Sequence, residues 1–332
     1  MSIRRTLIIS TLLGTLGQAP AALSQDPDLV ARAQGGDPAA QTELGYVYAI
    51  GDGVQQDFKE ALKWFLAGTR QGYADAQYNY GNMFANGFGV RQDFREALNW
   101  YRLAASQNHM RAQYNLGFMY DNGQGVTRNY EEAAKWYRAA AEQGHAAAQN
   151  ALGVMCKYGY GVKQDYAEAL KWLKISAEAG YPTGQFNLGA MYVNATGVPQ
   201  DYAEAAKWYE LAADSGNVSA QFNLADMYIA GHGVDRNYGR AAELYLAAAR
   251  QGHSEAQYNI GEMYAAGYGV QQSYVVGYAW ADISSQTSDV FHRSRANRNR
   301  DSMATQMTPE QIEEAKALAS RCLESGYRDC TP

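Results

Sequence analysis

The second glycine of a Gly-x-Gly turn recurs every 36 residues along the chain (89 − 53 = 125 − 89 = 36). The full series is Gly53, Gly89, Gly125, Gly161, Gly197, Gly233 and Gly269. A fixed interval of about 20 to 50 residues is typical of stacked repeats, in which each repeat contacts its neighbours. The unbroken series predicts one elongated array of about seven repeats without an internal linker, rather than two ordinary domains.

Each repeat is predicted to contain two helices, here called helix A and helix B, on either side of the turn. Helix B is predicted to begin after a residue whose side chain accepts hydrogen bonds from first-turn amides. These residues are Asp57, Asp93, Asn129, Asp165, Asp201, Asn237 and Ser273. In the first five repeats a glutamate three residues later (Glu60, Glu96, Glu132, Glu168, Glu204) predicts a capping box. Helix B is predicted to end at a left-handed residue: Gly72, Asn108, Gly144, Gly180, Gly216 and Gly252.

Small and aromatic residues recur on one face of each predicted helix. In helix B, Ala61 and Trp64 and their equivalents lie three residues apart and share a face, so we expect both series in the core rather than in a ligand site. Lys63 and its equivalents stay polar and predict the solvent-facing side. Helix A carries a glycine in six of seven repeats, beginning at Gly45. Because a glycine inside a helix costs about 1 kcal/mol relative to alanine, its recurrence predicts close contact between helices.

The segment AQYNLGFMYDNGQGVTRNYEEAAKWYRAAAEQGHAAAQ (112–149) resembles the Sel-one-like repeat, a relative of the tetratricopeptide repeat. The resemblance covers residues 37–286 and implies an all-α fold, a right-handed α-solenoid superhelix of about seven helix-turn-helix repeats. Residues 25–36 are predicted to form an N-terminal capping half-repeat. Residues 287–332 are predicted to form C-terminal capping helices and a tail, since MTPEQIEEAKALA (307–319) resembles the closing helix of bacterial proteins of this family.

The N-terminus predicts a secretory signal peptide over residues 1–24. Arg4 and Arg5 precede an apolar run of about 11 residues, which is too short to span a bilayer. Cleavage is predicted after Ser24, with Ala19-x-Ala21 as the second choice, and the paired arginines also weakly resemble a twin-arginine signal. The mature charge would be (28 − 2) − 34 = −8, which disfavours general nucleic-acid binding. We therefore expect an exported protein, either periplasmic or secreted, without a stable membrane anchor after cleavage.

Signals for catalysis are absent from the sequence. There is no Gly-x-Ser-x-Gly, His-Glu-x-x-His or phosphate-binding loop, and the Gly-x-Gly turns follow helices rather than strands. His109, His145 and His253 share one register and are predicted to be exposed turn residues, not metal ligands. No cofactor, metal site or catalytic residue is predicted. The cluster Arg293, Arg295, Arg298 and Arg300 predicts either a solvated helix face or a docking site for an acidic partner.

The three cysteines have separate predicted roles. Cys156 replaces an aromatic of helix A and is expected to be buried. Cys322 and Cys330 lie eight residues apart near the C-terminus, and in an oxidising compartment we expect them to form a disulfide. The alternative is a redox-active pair.

Positions that vary between repeats are the candidates for function. If helix A is aligned as in tetratricopeptide repeats, its groove-facing positions are aromatic or apolar in the middle of the array. They predict a concave surface that binds a peptide or protein, comprising Tyr114, Phe118, Asp121, Lys157, Phe186 and Phe222. The alternative is that Tyr114 and its equivalents only pack between repeats.

The predicted function is a non-enzymatic adaptor for a protein or peptide partner, the role that the resemblance implies. One alternative is an envelope enzyme or cell-wall-binding factor acting on peptidoglycan or β-lactams. Another is a subunit that self-associates.

Overall fold

The structure, a computed structural model, describes residues 27–287 and 290–330, and within them the chain forms seventeen α-helices and no strand. In the first half these are α1 (Pro27–Gln34), α2 (Pro38–Ile50), α3 (Phe58–Arg70), α4 (Ala74–Asn86), α5 (Phe94–Ser106), α6 (Met110–Asn122), α7 (Tyr130–Glu142) and α8 (Ala146–Tyr158). In the second half these are α9 (Tyr166–Glu178), α10 (Pro182–Val193), α11 (Tyr202–Asp214), α12 (Val218–Ala230), α13 (Tyr238–Arg250), α14 (Ser254–Ala266), α15 (Tyr274–Ser284), α16 (Val290–Ala304) and α17 (Pro309–Glu324). Helices α2 to α15 alternate as helix A and helix B, which confirms the predicted α-solenoid of seven helix pairs. The predicted signal peptide lies outside the described residues.

The chain divides into two compact units, residues 1–164 and 165–332. Within the first unit the pairs α2/α3, α4/α5 and α6/α7 form hairpins, and α3 packs on α4, α5 on α6 and α7 on α8. Within the second unit α10/α11, α12/α13 and α14/α15 form the same hairpins. Each helix therefore packs mainly on its neighbours along the chain, as expected for repeats.

The predicted ends of helix B are confirmed. At the start of α5, Asp93 Oδ1 accepts hydrogen bonds from the amides of Arg95 (2.9 Å) and Glu96 (3.1 Å). The other six N-cap residues also accept bonds from first-turn amides. All six predicted C-terminal residues have positive φ, including the non-glycine Asn108 at 64°.

The capping boxes predicted for helix B are not found in the described residues. A capping box requires a vacant N-cap amide, but the amide of Asp93 already donates to the carbonyl of Phe84 in helix A at 3.0 Å. Glu96 Oε1 instead accepts a hydrogen bond from Trp100 Nε1 at 2.9 Å. The pairs Glu168/Trp172 and Glu204/Trp208 repeat this contact. In these three repeats the glutamate therefore binds the indole, and the N-cap amide connects the two helices of a repeat.

The predicted core position holds for two of the six tryptophans: Trp172 and Trp280 are buried, whereas Trp64, Trp100, Trp136 and Trp208 are half-buried. At Trp100 and Trp208 the glutamate supplies the polar partner that an indole N–H needs. The alanines from Ala61 onward are fully buried, as predicted, and the largest buried side chains of helix B include Phe65, Tyr137 and Tyr209.

The glycines of helix A allow these buried rings to approach the backbone. A Cβ added at Gly117 would lie 2.8 Å from Cδ1 of Tyr137, and one at Gly189 would lie 2.8 Å from Cδ1 of Tyr209. Both distances are too short for a relaxed contact. The predicted close approach of the two helices in a repeat is confirmed.

The preceding repeat leaves no room for a side chain at the second glycine of the turn. Gly161 has φ +64°, and a Cβ there would lie 2.1 Å from the carbonyl carbon of Tyr130, the first residue of α7. Gly125 and Gly233 approach Phe94 and Tyr202 in the same way. This turn therefore forms a backbone contact between repeats, which explains why its glycine never varies.

A ladder of glutamines connects consecutive helices through the buried interior. Gln221 Nε2 donates to the carbonyl of Ala213 at 3.1 Å, and its Oε1 accepts from Gln251 Nε2 at 2.9 Å. Equivalent pairs are Gln41/Gln71, Gln77/Gln107 and Gln113/Gln143. At Gln185 the ladder is incomplete: its Oε1 is buried and has no partner among the described residues, because Ser215 occupies the position of the donor glutamine. Gln149 Oε1 is likewise buried without a partner there.

The C-terminal end is closed by two helices outside the repeat pattern. Helices α16 and α17 both pack on α15, and α16 also reaches α14. Helix α17 begins with the predicted capping box between Thr308 and Gln311. Its Cys322 forms the predicted disulfide with Cys330, and both are buried in the core of the second unit. The predicted burial of Cys156 is also confirmed.

Candidate functional site

Three histidines cap helix A and stack on aromatic side chains, of which Tyr114 and Phe222 belong to the candidate surface. His145 Nδ1 accepts a hydrogen bond from the amide of Ala148 at 3.2 Å, and its ring stacks on Tyr114 with centroids 4.5 Å apart. Equivalent caps and stacks are His109 with Ala112 and Tyr78, and His253 with Ala256 and Phe222. The prediction of exposed turn histidines is therefore wrong. Each imidazole accepts a hydrogen bond from an amide in the first turn of helix A, and an aromatic ring stacked on it shields it from solvent.

These contacts change the acidity of the groups involved. Burial lowers the pKa of His145 and of His253, because a cation is poorly solvated there. His109 Nε2 lies 3.0 Å from Asp75 Oδ1, and this hydrogen bond lowers the pKa of Asp75. Asn217 caps α12 in the same way. Because the histidines and Asn217 occupy the same position in their repeats, the sequence could have predicted that these histidines cap helix A.

In the first unit, Tyr137 of α7 brings together two candidate residues of α6. Its ring packs against Tyr114 with centroids 5.7 Å apart, and its hydroxyl donates to Asp121 Oδ2 at 3.4 Å. Loss of solvent around the carboxylate raises the pKa of Asp121. Tyr114 is half-buried between Tyr137 and His145, so part of its ring stabilises the contact between repeats.

Phe118 is the most exposed hydrophobic candidate. Its relative exposure is 41%, although it lies one turn from the packed Tyr114 on the same helix. In the equivalent position, Asn82 is buried and accepts a hydrogen bond from Tyr101, whereas Asp226 and Glu262 are exposed. The remaining repeats have Tyr46, Val154 and Ala190 at this position. The exposed ring of Phe118 has no packing role within the described contacts of α6.

Lys157 lies at the end of α8, where its Nζ is 5.1 Å from the centroid of the Tyr158 ring. Tyr158 stacks on Tyr160, which stacks on Tyr130. Tyr158 and Tyr160 are both exposed. This row of rings was not among the predicted site residues, although the aromatic Tyr160 inside the Gly-x-Gly turn could have indicated it.

In the second unit, Phe186 and Phe222 are half-buried against helix B. Phe186 stacks on Tyr209 at 5.6 Å, and Phe222 lies 5.7 Å from Tyr245 and 4.6 Å from His253. Tyr245 donates its hydroxyl to Asp226, whose pKa is raised by loss of solvent. These two phenylalanines therefore contribute to packing as well as to the candidate surface.

Within residues 27–287 and 290–330, no group of three or more His, Cys, Asp and Glu side chains is arranged to hold a metal ion. No helix in that part of the chain is both long enough and apolar enough to cross a bilayer.

Comparison with known proteins identifies the repeats. Seven segments match the Sel1 repeat: residues 38–73, 74–109, 111–145, 146–181, 182–217, 218–253 and 254–286. The chain belongs to the Sel1 repeat family. This confirms the resemblance seen in the sequence, and proteins of the family generally mediate protein–protein interactions.

Solved structures include several similar proteins. A Sel1 repeat protein from Oxalobacter formigenes is 36% identical, with 68% of this chain and 88% of that protein covered at a TM-score of 0.62. A protective antigen with an SLR fold, present in uropathogenic Escherichia coli strains, is 29% identical (90% and 80% covered, TM-score 0.43). An immunity protein from Pseudomonas aeruginosa is 22% identical (70% and 82% covered, TM-score 0.41). Comparison with curated proteins gives no match.

Proposed function

We propose that this Sel1 repeat protein is an exported, non-enzymatic scaffold that binds a protein or peptide partner. The proposed binding residues belong to helix A, and several of them also pack against helix B. They are Tyr114, Phe118, Asp121 and Lys157 in the first unit, and Phe186 and Phe222 in the second. No cofactor takes part in this role.

The exposure of Phe118 carries the proposal. An aromatic side chain left in water forgoes much of its hydrophobic stabilisation, and a partner that covers it recovers this free energy. Aromatic anchors flanked by polar groups are typical of protein interfaces. Asp121 and the ammonium group of Lys157 supply such polar neighbours along the same register of helix A.

Export is supported by the disulfide between Cys322 and Cys330, since disulfides persist mainly in oxidising compartments. The signal peptide over residues 1–24 and a periplasmic or secreted location remain predictions. Cell fractionation followed by N-terminal sequencing tests them, with cleavage after Ser24 as the expected result. A protein recovered in the cytoplasm with its N-terminus intact would contradict export.

Site-specific photo-crosslinking in the native cell tests the binding surface. One variant carries the photoreactive residue at Phe118, and a matched control carries it at Lys135, which is exposed on helix B of the same repeat. We expect a discrete protein adduct from position 118 that is missing from position 135. Equal labelling at both positions would refute the surface, and an adduct of two copies of this chain would favour self-association.

The proposal also predicts no turnover of a chromogenic β-lactam or of purified peptidoglycan by the mature protein. Turnover that a single substitution abolishes would replace the scaffold role with the enzymatic alternative.

A further inference from the structure

A pocket of about 680 Å³ lies at the C-terminal end of the array, wholly within the second unit. Its walls come from α12, α13, α14, α15 and the non-repeat helix α16. The volume falls within the range of about 300 to 1,000 Å³ that is typical of ligand sites. Ile229, Glu262 and Ala265 place it on the same helix A registers as Asp121, Phe118 and Lys157 of the proposed surface.

Helix α16 makes this site different from the rest of the array. Met303 packs against the last repeat, with its sulfur 2.9 Å from where a Cβ on Gly277 would lie. The same helix contributes Asn299 and Ser302 to the pocket, and Gln306 follows its last turn. Helix α16, which lies outside the repeats, therefore covers a face of α14 that would otherwise be open to solvent.

Glu262 is the only charged side chain among the described lining residues, so the pocket is acidic. Glu262 is exposed within it and accepts a hydrogen bond from Tyr258 at 2.7 Å. Among the described lining residues there is no lysine, arginine or histidine. Asp226, one repeat earlier in the register of Glu262, accepts a hydrogen bond from the hydroxyl of Tyr245. The nearby Arg295 lies over the ring of Tyr258, 4.4 Å from its centroid, and does not line the pocket.

The remaining lining groups fit a long cationic side chain on a peptide. Tyr268, which is 57% exposed, and Tyr274 present aromatic rings that attract a cation. Ala265 and Met263 form an apolar wall suited to an aliphatic stem. Asn299 Nδ2 is buried without an acceptor in the described part of the chain, and a buried donor of this kind needs a hydrogen-bond acceptor, which a peptide carbonyl oxygen can supply.

We propose that this pocket binds a lysine or arginine side chain of a peptide segment. The carboxylate of Glu262 pairs with the cation, and Asn299 donates to a main-chain carbonyl of the same segment. The inference rests on the proposed function, because it assigns one end of that binding surface and the chemistry of the partner segment that reaches it.

Methyl NMR of protein labelled at methionine tests the proposal directly. Met263 and Met303 line the pocket, and Met119 in the first unit serves as the internal control. The probes are acetyl-Ala-Arg-Ala-amide and acetyl-Ala-Lys-Ala-amide, with acetyl-Ala-Gln-Ala-amide as the neutral control and agmatine as a guanidinium without a peptide carbonyl. We expect shifts at both pocket methionines, with a dissociation constant on the order of 1 mM for the cationic tripeptides.

Two variants separate the roles of the lining groups. Glu262→Gln should weaken the cationic tripeptides by up to about fivefold, whereas Glu243→Gln, an equal change of charge on α13 outside the pocket, should leave binding unchanged. Asn299→Leu should weaken the tripeptides but not agmatine. An unaltered Met119 signal and thermal midpoint show that each variant is folded.

Equal binding of the arginine and glutamine peptides would overturn the cationic specificity, and the absence of shifts would overturn the site. Agmatine bound as tightly as the tripeptides would overturn the peptide assignment. Because the titration uses purified protein and defined probes, its failure is distinct from failure of partner capture at Phe118.

Discussion

Completing the glutamine ladder at Ser215 should stabilise the second unit. Ser215 follows the last turn of α11, and the buried Oε1 of Gln185 has no partner there. In the next repeat, Gln251 occupies the same position and donates to Gln221 Oε1 at 2.9 Å. An unsatisfied buried acceptor costs about 1–3 kcal/mol, and ordering a glutamine side chain opposes its rescue by up to about 2 kcal/mol. Ser215→Gln should therefore gain about 1 kcal/mol.

Native-state hydrogen exchange provides a local assay, since repeat arrays do not always unfold in one step. A gain of 1 kcal/mol slows exchange of α10 and α11 amides about fivefold. Ser215→Glu is the matched control, because a carboxylate has a similar length but no proton to donate. The reciprocal change Gln251→Ser should lose about 1–2 kcal/mol around α12 and α13. Equal protection in the Gln and Glu variants would refute the reasoning.

Three further substitutions test other contacts. Gly161→Ala should destabilise the first unit by about 1–3 kcal/mol more than Gly72→Ala, measured by urea unfolding, because both have positive φ but only the first added Cβ meets backbone. Equal losses would contradict the contact. Burial lowers the pKa of His145, so its contribution to stability is full above the unfolded pKa of about 6.5 and is lost as the pH falls below it. His145→Asn should keep the cap and flatten the decline of stability as the pH falls below about 6.5, and an unchanged slope would count against this. Cys322→Ala removes a short disulfide loop to Cys330 and should cost about 2–3 kcal/mol, seen as a lower thermal midpoint that reducing agent no longer affects.

The repeat architecture was predictable because its signals are local and recur. The cap at Asp93 and the left-handed residue at Asn108 each depend on a few neighbouring residues, so a single sequence is enough to place them. The prediction of capping boxes in helix B was wrong because the N-cap amide finds its hydrogen-bond acceptor in the other helix of the repeat. The carbonyl of Phe84, in the other helix, already holds the amide that Glu96 would need.

The candidate surface was less predictable, because burial depends on what the neighbouring helix presents. Tyr114 and Phe118 occupy adjacent turns of one face, yet Tyr137 and His145 cover the first and leave the second exposed. The pocket beside Glu262 could not be predicted at all. One of its walls, which includes Asn299, comes from a helix that lies outside the repeats and has no equivalent in the other copies.

The contact between each second glycine and the preceding repeat restricts how such a chain can evolve in length. Inserting one residue within a helix rotates the rest of the chain by about 100° about the helix axis. The turn that contains Gly161 would then no longer lie against the backbone of Tyr130. Gain or loss of a whole 36-residue copy preserves every such contact. Unequal recombination between the similar coding segments produces changes of that size, so relatives of this protein should differ in the number of copies rather than in the size of each one.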